Sequence, residues 1–287
     1  MTIRLPAGPD RQRARLHQTL ADHRLVTLTG PGGIGKSALA AAVAATHPGA
    51  VVLDLAAARA RNPVPNGLPD ADLLVLDTCE HLLAALTPHL AAHLARHPGR
   101  RILLTSRHIR ADAGHAPIRN RTALSLPTGR VLTVPPLTTT QADALHRRLS
   151  GGRTLNPAVL ARLDGLPLAV RIAAAHRLDS AALSARLDDG SFYALPAPSR
   201  HPERHTTLRA SAAWSLALCT DADRRAWALL ATLPAPFTLG QAERLLGGRA
   251  PVSRLAERSL LIGDGFSHRL PEYLRRFVLE QPTAFTM

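Results

Sequence analysis

The segment 30–37, GPGGIGKS, constrains what this chain can fold into more than any other stretch. It follows a short apolar run, LVTLTG at 25–30, and precedes SALAAAVAATHP, which predicts a helix ended by Pro48. The pattern GxxxxGK[ST] can arise by chance, but the order strand, glycine loop, helix is the context that a phosphate-binding loop requires. The segment therefore predicts a P-loop in an α/β domain.

The residue types of this loop suit phosphate binding. Its glycines let the backbone curl so that successive N–H groups point at phosphate oxygens, above the positive end of the following helix. Lys36 offers a compact charge that can reach between β- and γ-phosphates, and the Ser37 hydroxyl can contact Mg²⁺. The predicted nucleotide-binding residues of the loop are Gly30, Pro31, Gly32, Gly33, Ile34, Gly35, Lys36, Ser37 and Ala38.

Lys36 is the only lysine in the chain, because Lys and Arg together number 35 and all the others are arginine. A composition that favours arginine replaces lysine wherever either residue serves. The surviving lysine therefore indicates a position that only an ammonium fits, since a planar guanidinium suits a phosphate nest poorly. The alternative is an exposed lysine that persists by chance in a glycine turn.

Two further strand ends supply candidate partners for the loop. The run LLVLD at 73–77 predicts a buried strand that ends in Asp77. We expect this strand beside the first one, where a Walker B aspartate holds Mg²⁺ together with Ser37; the alternative is a simple turn residue. RILLTS at 101–106 predicts a third strand, and Arg107 after it could read the γ-phosphate or be an ordinary surface arginine.

Seven motifs in order extend the pattern over about residues 10–281. They are LVTLTGPGGIGKSALA, LLVLDTCEHL, RILLTSR, VLTVPPL, LDGLPLAVRIAAA, RHPERHTTLRASAAWSL and SHRLPEYLRRFVLEQ. Together they resemble the nucleotide-switch module of the STAND ATPases. The version that they resemble most lies inside bacterial SARP-type and large LuxR-type transcriptional regulators and is related to NB-ARC domains.

The resemblance implies a P-loop α/β domain with a parallel sheet and flanking helices at 1–137, a small helical domain at 138–200 and a winged-helix domain at 201–287. It also implies that Pro167 of the GLPL motif packs against the nucleotide and couples the helical domain to bound ADP or ATP. Independently, DGLPLAVRIAAA predicts a helix with proline in its first turn, which is also the ordinary place for a helix-starting proline.

The chain departs from the family pattern at two structural points. Only a short linker separates VVLDL at 51–55 from LLVLD at 73–77, so the crossover between these two strands is shortened. The latch histidine of many NB-ARC proteins is missing from RLPEYLRRF, and His268 or Arg269 could take its place.

The candidate catalytic residues are Lys36, Asp77 and Glu80. Thr78 stands where fast ATPases often carry an acidic residue, and Glu80 is three positions after Asp77. Without a well-placed base to orient water, at most a slow Mg-dependent ATPase is expected.

Composition limits the protein class. The hydrophobic fraction is 46% and the aromatic fraction 3%, so the cores must consist of Leu, Ala and Val. Cys79 and Cys219 fit neither a disulfide framework nor a Cys-rich metal motif. No run approaches the roughly 18 apolar residues of a membrane helix, and the chain is predicted to be cytoplasmic and globular.

The formal net charge of +14 raises the question of nucleic-acid binding. The arginines are scattered through every segment and aromatic stacking platforms are scarce, which favours a solvated arginine-rich surface. PVSRLAERSLL at 251–261 could be a winged-helix recognition helix. Its predicted core positions are Val252, Leu255 and Leu260, and its predicted exposed positions are Arg254, Glu257 and Arg258. Direct DNA binding is therefore disfavoured.

Three histidines recur every four residues along one predicted helix, a spacing that can bind a divalent metal. They are His89, His93 and His97. The same helix carries Leu83, Leu86, Leu90 and Leu94. The histidines therefore more simply flank an amphipathic face.

The sequence predicts an ATP/ADP-binding molecular switch of STAND type, with Mg²⁺, in transcriptional regulation or signalling. The alternative is a winged-helix DNA-binding regulator with a secondary or degenerate P-loop; a P-loop kinase ranks third because no acceptor-binding lid is recognisable. No helical repeats follow residue 281 and no separate effector or helix-turn-helix precedes residue 10, so sensor and effector domains are expected either on another chain or to have been lost, and a degenerate switch is the alternative to a complete one. Nucleotide-dependent self-association is a further expectation.

Overall fold

The computed structural model of the chain describes residues 2–5, 8–108, 129–198, 206–263 and 267–280. It divides into two units, one of residues 1–30 and 35–135 and one of residues 31–34 and 136–287. By its contacts the tip of the glycine loop, 31–34, thus belongs to the second unit. The predicted domain boundary at 200/201 lies outside the described residues.

The first unit contains a six-stranded sheet in which each neighbouring pair is parallel. Its strands are β1 (Thr2–Arg4), β2 (Leu25–Thr29), β3 (Ala50–Asp54), β4 (Leu73–Asp77), β5 (Arg101–Ser106) and β6 (Gly129–Thr133). Their spatial order is β1-β6-β2-β5-β4-β3. β2, β4 and β5 are almost wholly buried, as expected for the continuous apolar strands of a parallel sheet covered on both faces.

The expectation that the Asp77 strand lies beside the first strand is wrong, because β5 lies between β2 and β4. Strands pair about 4.8 Å apart, so the backbone of β4 lies roughly 10 Å from that of β2. A contact between Asp77 and the glycine loop must therefore be made by side chains, one of which comes from the helix after the loop.

Within the described residues of this unit, three helices accompany the sheet: α1 (Pro9–Asp22), α2 (Lys36–Ala44) and α3 (Leu83–Arg96). The four predicted leucines of α3 are buried and belong to a core cluster with residues of β4 and β5. His93 is buried as well, so the prediction that the histidines flank this face is wrong for His93. Its position seven residues after Leu86 and three after Leu90 places it on the same helix face.

The shortened crossover is confirmed. β3 and β4 are parallel neighbours, and residues 55–72 between them contain no helix. Leu55 and Val64 of this linker are buried in the same core cluster as α3. The linker therefore fills part of the space that a crossover helix would cover.

The second unit continues with a helical stretch and then a mixed stretch. The first comprises α4 (Thr139–Ser150), α5 (Pro157–Ala161), α6 (Pro167–Ala175), α7 (Ser180–Asp189) and a 3₁₀ turn, Ser191–Ala194. The second comprises α8 (Leu208–Ala217), α9 (Asp221–Ala231), β7 (Phe237–Thr238), α10 (Leu239–Leu246), α11 (Arg249–Glu257), β8 (Ile262–Gly263), β9 (Ser267–Arg269) and α12 (Glu272–Leu279). Its strands form an antiparallel sheet in the order β7-β9-β8. Among the helices of the described ranges, none has the length and apolar character to cross a membrane.

Ion pairs with a buried carboxylate connect the stretch 251–261 to α9. Val252, Leu255 and Leu260 are buried as predicted, but Arg258 is also buried, so its predicted exposure is wrong. The reason is Asp223, which is fully buried and accepts from Arg254 Nε at 2.8 Å and from Arg258 Nε at 2.9 Å. Arginines four residues apart lie on one helix face, so a single carboxylate binds both.

Candidate functional site

The glycine loop joins β2 to α2. α2 begins at Lys36, and its N-cap is Gly35 in the left-handed conformation, with no side-chain hydrogen bond to the first turn. The first N–H groups of a helix have no intrahelical partner and carry the positive end of the helix dipole. The loop therefore presents an uncapped helix terminus, which favours an anion.

Lys36 folds back onto the loop. Its Nζ donates to the carbonyl oxygen of Gly30 at 2.7 Å, and the residue is 8% exposed. The alternative of an exposed lysine in a glycine turn is therefore wrong. The ammonium is held at the first residue of the glycine loop.

Ser37 and Asp77 meet despite the intervening strand. Ser37 Oγ donates to Asp77 Oδ1 at 2.8 Å, and Thr105 Oγ1 of β5 donates to the same carboxylate oxygen. The donor set of one carboxylate and a hydroxyl is hard oxygen, which Mg²⁺ prefers when it also keeps waters and phosphate oxygens. The two residues predicted to hold Mg²⁺ are thus brought together, with Thr105 as a third neighbour.

Thr105 also fixes the turn after the Asp77 strand, a role that sequence reasoning missed. Its Oγ1 accepts from the backbone N–H of Thr78 at 2.9 Å, and its carbonyl accepts from that of Cys79 at 2.9 Å. Thr78 has a φ of 65°, rare for a β-branched residue and costing about 1–3 kcal/mol. The only available signal was a threonine within the buried run of β5, and no local pattern indicated the φ of Thr78.

Glu80 and Arg107 form a buried ion pair. Arg107 Nε lies 3.5 Å from Glu80 Oε1, and the Arg107 backbone N–H donates to Glu80 Oε2 at 3.4 Å. Each side chain is 3% exposed. The alternative of a surface arginine is therefore wrong. The Glu80 carboxylate is already engaged, which does not favour its candidate role as a base for water.

The loop tip makes its own contacts within the second unit. Leu168 N donates to Gly33 O at 3.2 Å, and the buried Tyr273 hydroxyl donates to Gly32 O at 3.3 Å. Gly33 has a φ of 80°, and a Cβ there would lie 2.9 Å from the Leu168 Cβ, so only glycine fits. Pro167, the first residue of α6, precedes Leu168, which confirms the predicted helix-starting proline. Tyr273 was not predicted.

The two latch candidates have different surroundings. Arg269 forms an ion pair with Asp164 of the DGLPL segment, and Asp164 Oδ2 also accepts from the Glu272 backbone N–H at 2.5 Å. His268 Nδ1 is buried without a hydrogen-bond partner in the part of the chain that the structure describes. Within the second unit, Arg269 therefore ties the start of α12 to the segment before α6.

The histidines of α3 do not gather into a metal centre. His93 and His97 have ring centroids 4.7 Å apart, and burial followed by the charge of His97 lowers the pKa of His93. Across the described ranges, no group of three or more His, Cys, Asp or Glu side chains is arranged to hold a metal ion. The geometry therefore places His93 on the buried core face of α3.

The chain is similar in sequence to mycobacterial proteins and in fold to solved structures. No family model matches the chain. It is 32% identical over 311 aligned residues, 91% of this chain and 34% of the other, to a Mycobacterium tuberculosis (strain ATCC 25618 / H37Rv) protein whose name assigns it provisionally to the HTH-type transcriptional regulators. It is also 32% identical over 271 residues to an uncharacterized protein of the same strain, covering 79% of this chain and 65% of that one.

A Walker-type ATPase of Pyrococcus abyssi superposes with a TM-score of 0.58 over 96% of both chains at 13% identity. This likeness and the parallel sheet with flanking helices show the fold of a P-loop NTPase. The chain spans about a third of the length of the regulator that it matches.

Proposed function

We propose that this chain is an ATP/ADP-binding molecular switch of STAND type that acts in transcriptional regulation. The observation that carries the proposal is the 2.8 Å contact between Ser37 and Asp77, beside a P-loop lysine folded onto its own loop. The seven ordered motifs and the regulator among the sequence relatives support it.

In this proposal the loop 30–38 surrounds the phosphates, and Lys36 contacts their β- and γ-oxygens. Ser37 and Asp77 would hold Mg²⁺, which when bound neutralises phosphate charge. Arg107 would read the γ-phosphate, and Pro167 would pack against the nucleotide. Turnover would be slow, because neither Thr78 nor the engaged Glu80 offers a free base.

The contacts of the loop tip support a switch rather than a static scaffold. A ligand shifts a conformational equilibrium only by its differential affinity for the two states. Because Leu168 and Tyr273 hold the carbonyls of Gly33 and Gly32, a nucleotide that rearranges the tip would change how α6 and α12 pack on it. The helical domain at 138–200 and the winged helix at 201–287 would respond through these two helices.

Lys36→Ala should abolish most of the stabilisation by Mg-ADP, and Lys36→Arg should not restore it. At a hundredfold excess over Kd, binding adds about 2.7 kcal/mol of stability, which raises the melting temperature by several degrees. The measurement is thermal unfolding with and without Mg-ADP, together with identification of bound nucleotide after denaturing extraction and chromatography.

Arg13→Ala is the control, because Arg13 is an exposed basic residue of α1 and its loss should leave the nucleotide shift intact. Full recovery by Lys36→Arg would contradict the interpretation of the single lysine. Absence of both extracted nucleotide and any shift in the unmodified chain would reject the proposed function.

A second candidate function, DNA binding by a winged helix, is favoured by two observations. The order helix, strand, helix, helix, strand, strand in α9–β9 matches that of a winged helix, and a relative is named for an HTH-type regulator. Against it, Arg254 and Arg258 of the would-be recognition segment bind Asp223 internally. These two arginines are therefore poorly placed to neutralise phosphates.

We expect only weak DNA binding, without sequence preference and lost near physiological salt. Phosphate contacts lower log affinity by about 0.9 per contact for each unit of log salt. Fluorescence anisotropy with several duplexes over a salt series measures both the slope and the preference. Tight, sequence-selective binding at physiological salt would instead favour the DNA-binding regulator.

A further inference from the structure

Glu80 and Arg107 stand at one edge of the parallel sheet. Glu80 follows β4 and Arg107 follows β5, and these strands are direct neighbours. β5 is also paired with β2, whose carboxyl end leads into the glycine loop. The carboxyl ends of parallel strands lie at the same edge, which is where ligands bind in open α/β sheets.

The Glu80 carboxylate contacts Arg107 at two points, the side-chain Nε and the backbone N–H. The turn that carries Glu80 is itself anchored to β5, because Thr105 bonds the backbone N–H groups of both Thr78 and Cys79. The hydroxyl and the carbonyl of Thr105 thus hold the turn that carries Glu80 against β5, the strand that Arg107 follows.

Both charges are almost fully buried, with 3% of each side chain exposed. A folded protein is strongly destabilised when a buried arginine loses its anionic partner. Arg107 therefore requires an anion beside it in every state of the site. Carboxylate and phosphate oxygens both match the fork of a guanidinium. Of the two nucleotides in the proposed function, only ATP brings a γ-phosphate that could replace the carboxylate.

We propose that Glu80 is a positioning residue that serves as the resident counter-ion of Arg107 and competes with the γ-phosphate for it, and thereby biases the site toward ADP. This inference rests on the proposed function. When ATP binds, Arg107 exchanges its carboxylate partner for the γ-phosphate. Because the contact with Glu80 is lost, the γ-phosphate adds less binding free energy than it would without Glu80. Glu80 therefore sets the nucleotide preference without contacting the nucleotide.

The test compares the Kd of ADP with that of a non-hydrolysable ATP analogue in the full chain, by titration calorimetry with Mg²⁺. Glu80→Gln keeps the side-chain shape and an oxygen acceptor but removes the charge. We expect the ratio of the ADP Kd to the ATP-analogue Kd to rise about tenfold in this variant, which corresponds to about 1.4 kcal/mol. Glu80→Asp keeps the charge at a longer distance and should shift the ratio the same way by less.

Two further variants identify the cause. Arg107→Ala should shift the ratio toward ADP, and adding Glu80→Gln to it should change nothing more, because the competition no longer exists. Asp54→Asn removes an exposed carboxylate at the end of β3, so it applies the same change of charge at the same sheet edge and should leave the ratio unchanged.

An unchanged ratio in Glu80→Gln, a shift toward ADP, or an equal shift in Asp54→Asn would overturn the inference while leaving nucleotide binding in place. If Glu80→Gln does not fold, the ratio in Glu80→Asp decides by the same criterion. Failure of the unmodified chain to bind either nucleotide would reject the proposed function, and this inference with it.

Discussion

Gly165→Ala is expected to lower the free energy of unfolding by about 3 kcal/mol or more. Gly165 has a φ of 63°, which costs an L-residue about 1–2 kcal/mol. A Cβ at this position would also clash with the backbone carbonyl of Leu137, and overpacking of this kind costs typically about 1–3 kcal/mol. The Leu137 N–H donates to Gly165 O at 2.8 Å, so the two backbones cannot separate without losing a hydrogen bond.

Gly151→Ala is the matched control for this effect. Gly151 has a φ of 73° in the same unit, but a Cβ there would meet nothing within 4 Å. The control should therefore show only the conformational cost of about 1–2 kcal/mol. Denaturant unfolding of both variants gives the two free energies. Equal losses would show that the close approach of Leu137 contributes nothing, and that the glycine of DGLPL is needed only for its φ.

Asp223→Ala is expected to lower the free energy of unfolding by about 3–5 kcal/mol, because it leaves a buried arginine without its anion. Asp223 is fully buried and binds Arg254, Arg258 and the hydroxyl of Thr220. Burial raises its pKa, but the hydrogen bonds from Arg254 and Thr220 and the charges of both arginines outweigh burial, so the pKa lies below its usual value.

The direction of the pKa shift of Asp223 determines how the effect of Asp223→Ala on stability depends on pH. A carboxylate with a depressed pKa in the folded state contributes stability above its ordinary pKa of about 3.9 and loses it as the pH falls through the folded-state value. The cost of Asp223→Ala should therefore be full at pH 7 and shrink in strong acid. Asp221 is the exposed first residue of α9, two positions before Asp223. Asp221→Ala should lower the free energy of unfolding by about 1 kcal/mol or less at either pH. A pH-independent cost would contradict the role of the charge.

The parallel α/β unit could be read from the sequence because its signals are local. The apolar runs of β2, β4 and β5 are continuous, and the glycine loop lies between a strand and a helix. The strand order could not be read, because pairing between distant segments depends on the packing of the whole sheet. β1 was missed for a related reason: its three residues pair with β6, a strand that begins at residue 129.

The candidate site divides in the same way. Lys36 and Ser37 follow from the loop pattern, and Asp77 from its place at a strand end, since each depends on a few neighbouring residues. The environments of Arg107 and Arg258 could not be predicted from neighbouring residues, because their carboxylate partners lie 27 and 35 residues away along the chain. The sequence by itself determined the order strand, glycine loop, helix and the buried strands of the parallel sheet, since local periodicity and glycine conformation specify both. Only the tertiary structure decided which arginines are buried, since burial of a charge is stable only where folding brings a distant anion to it.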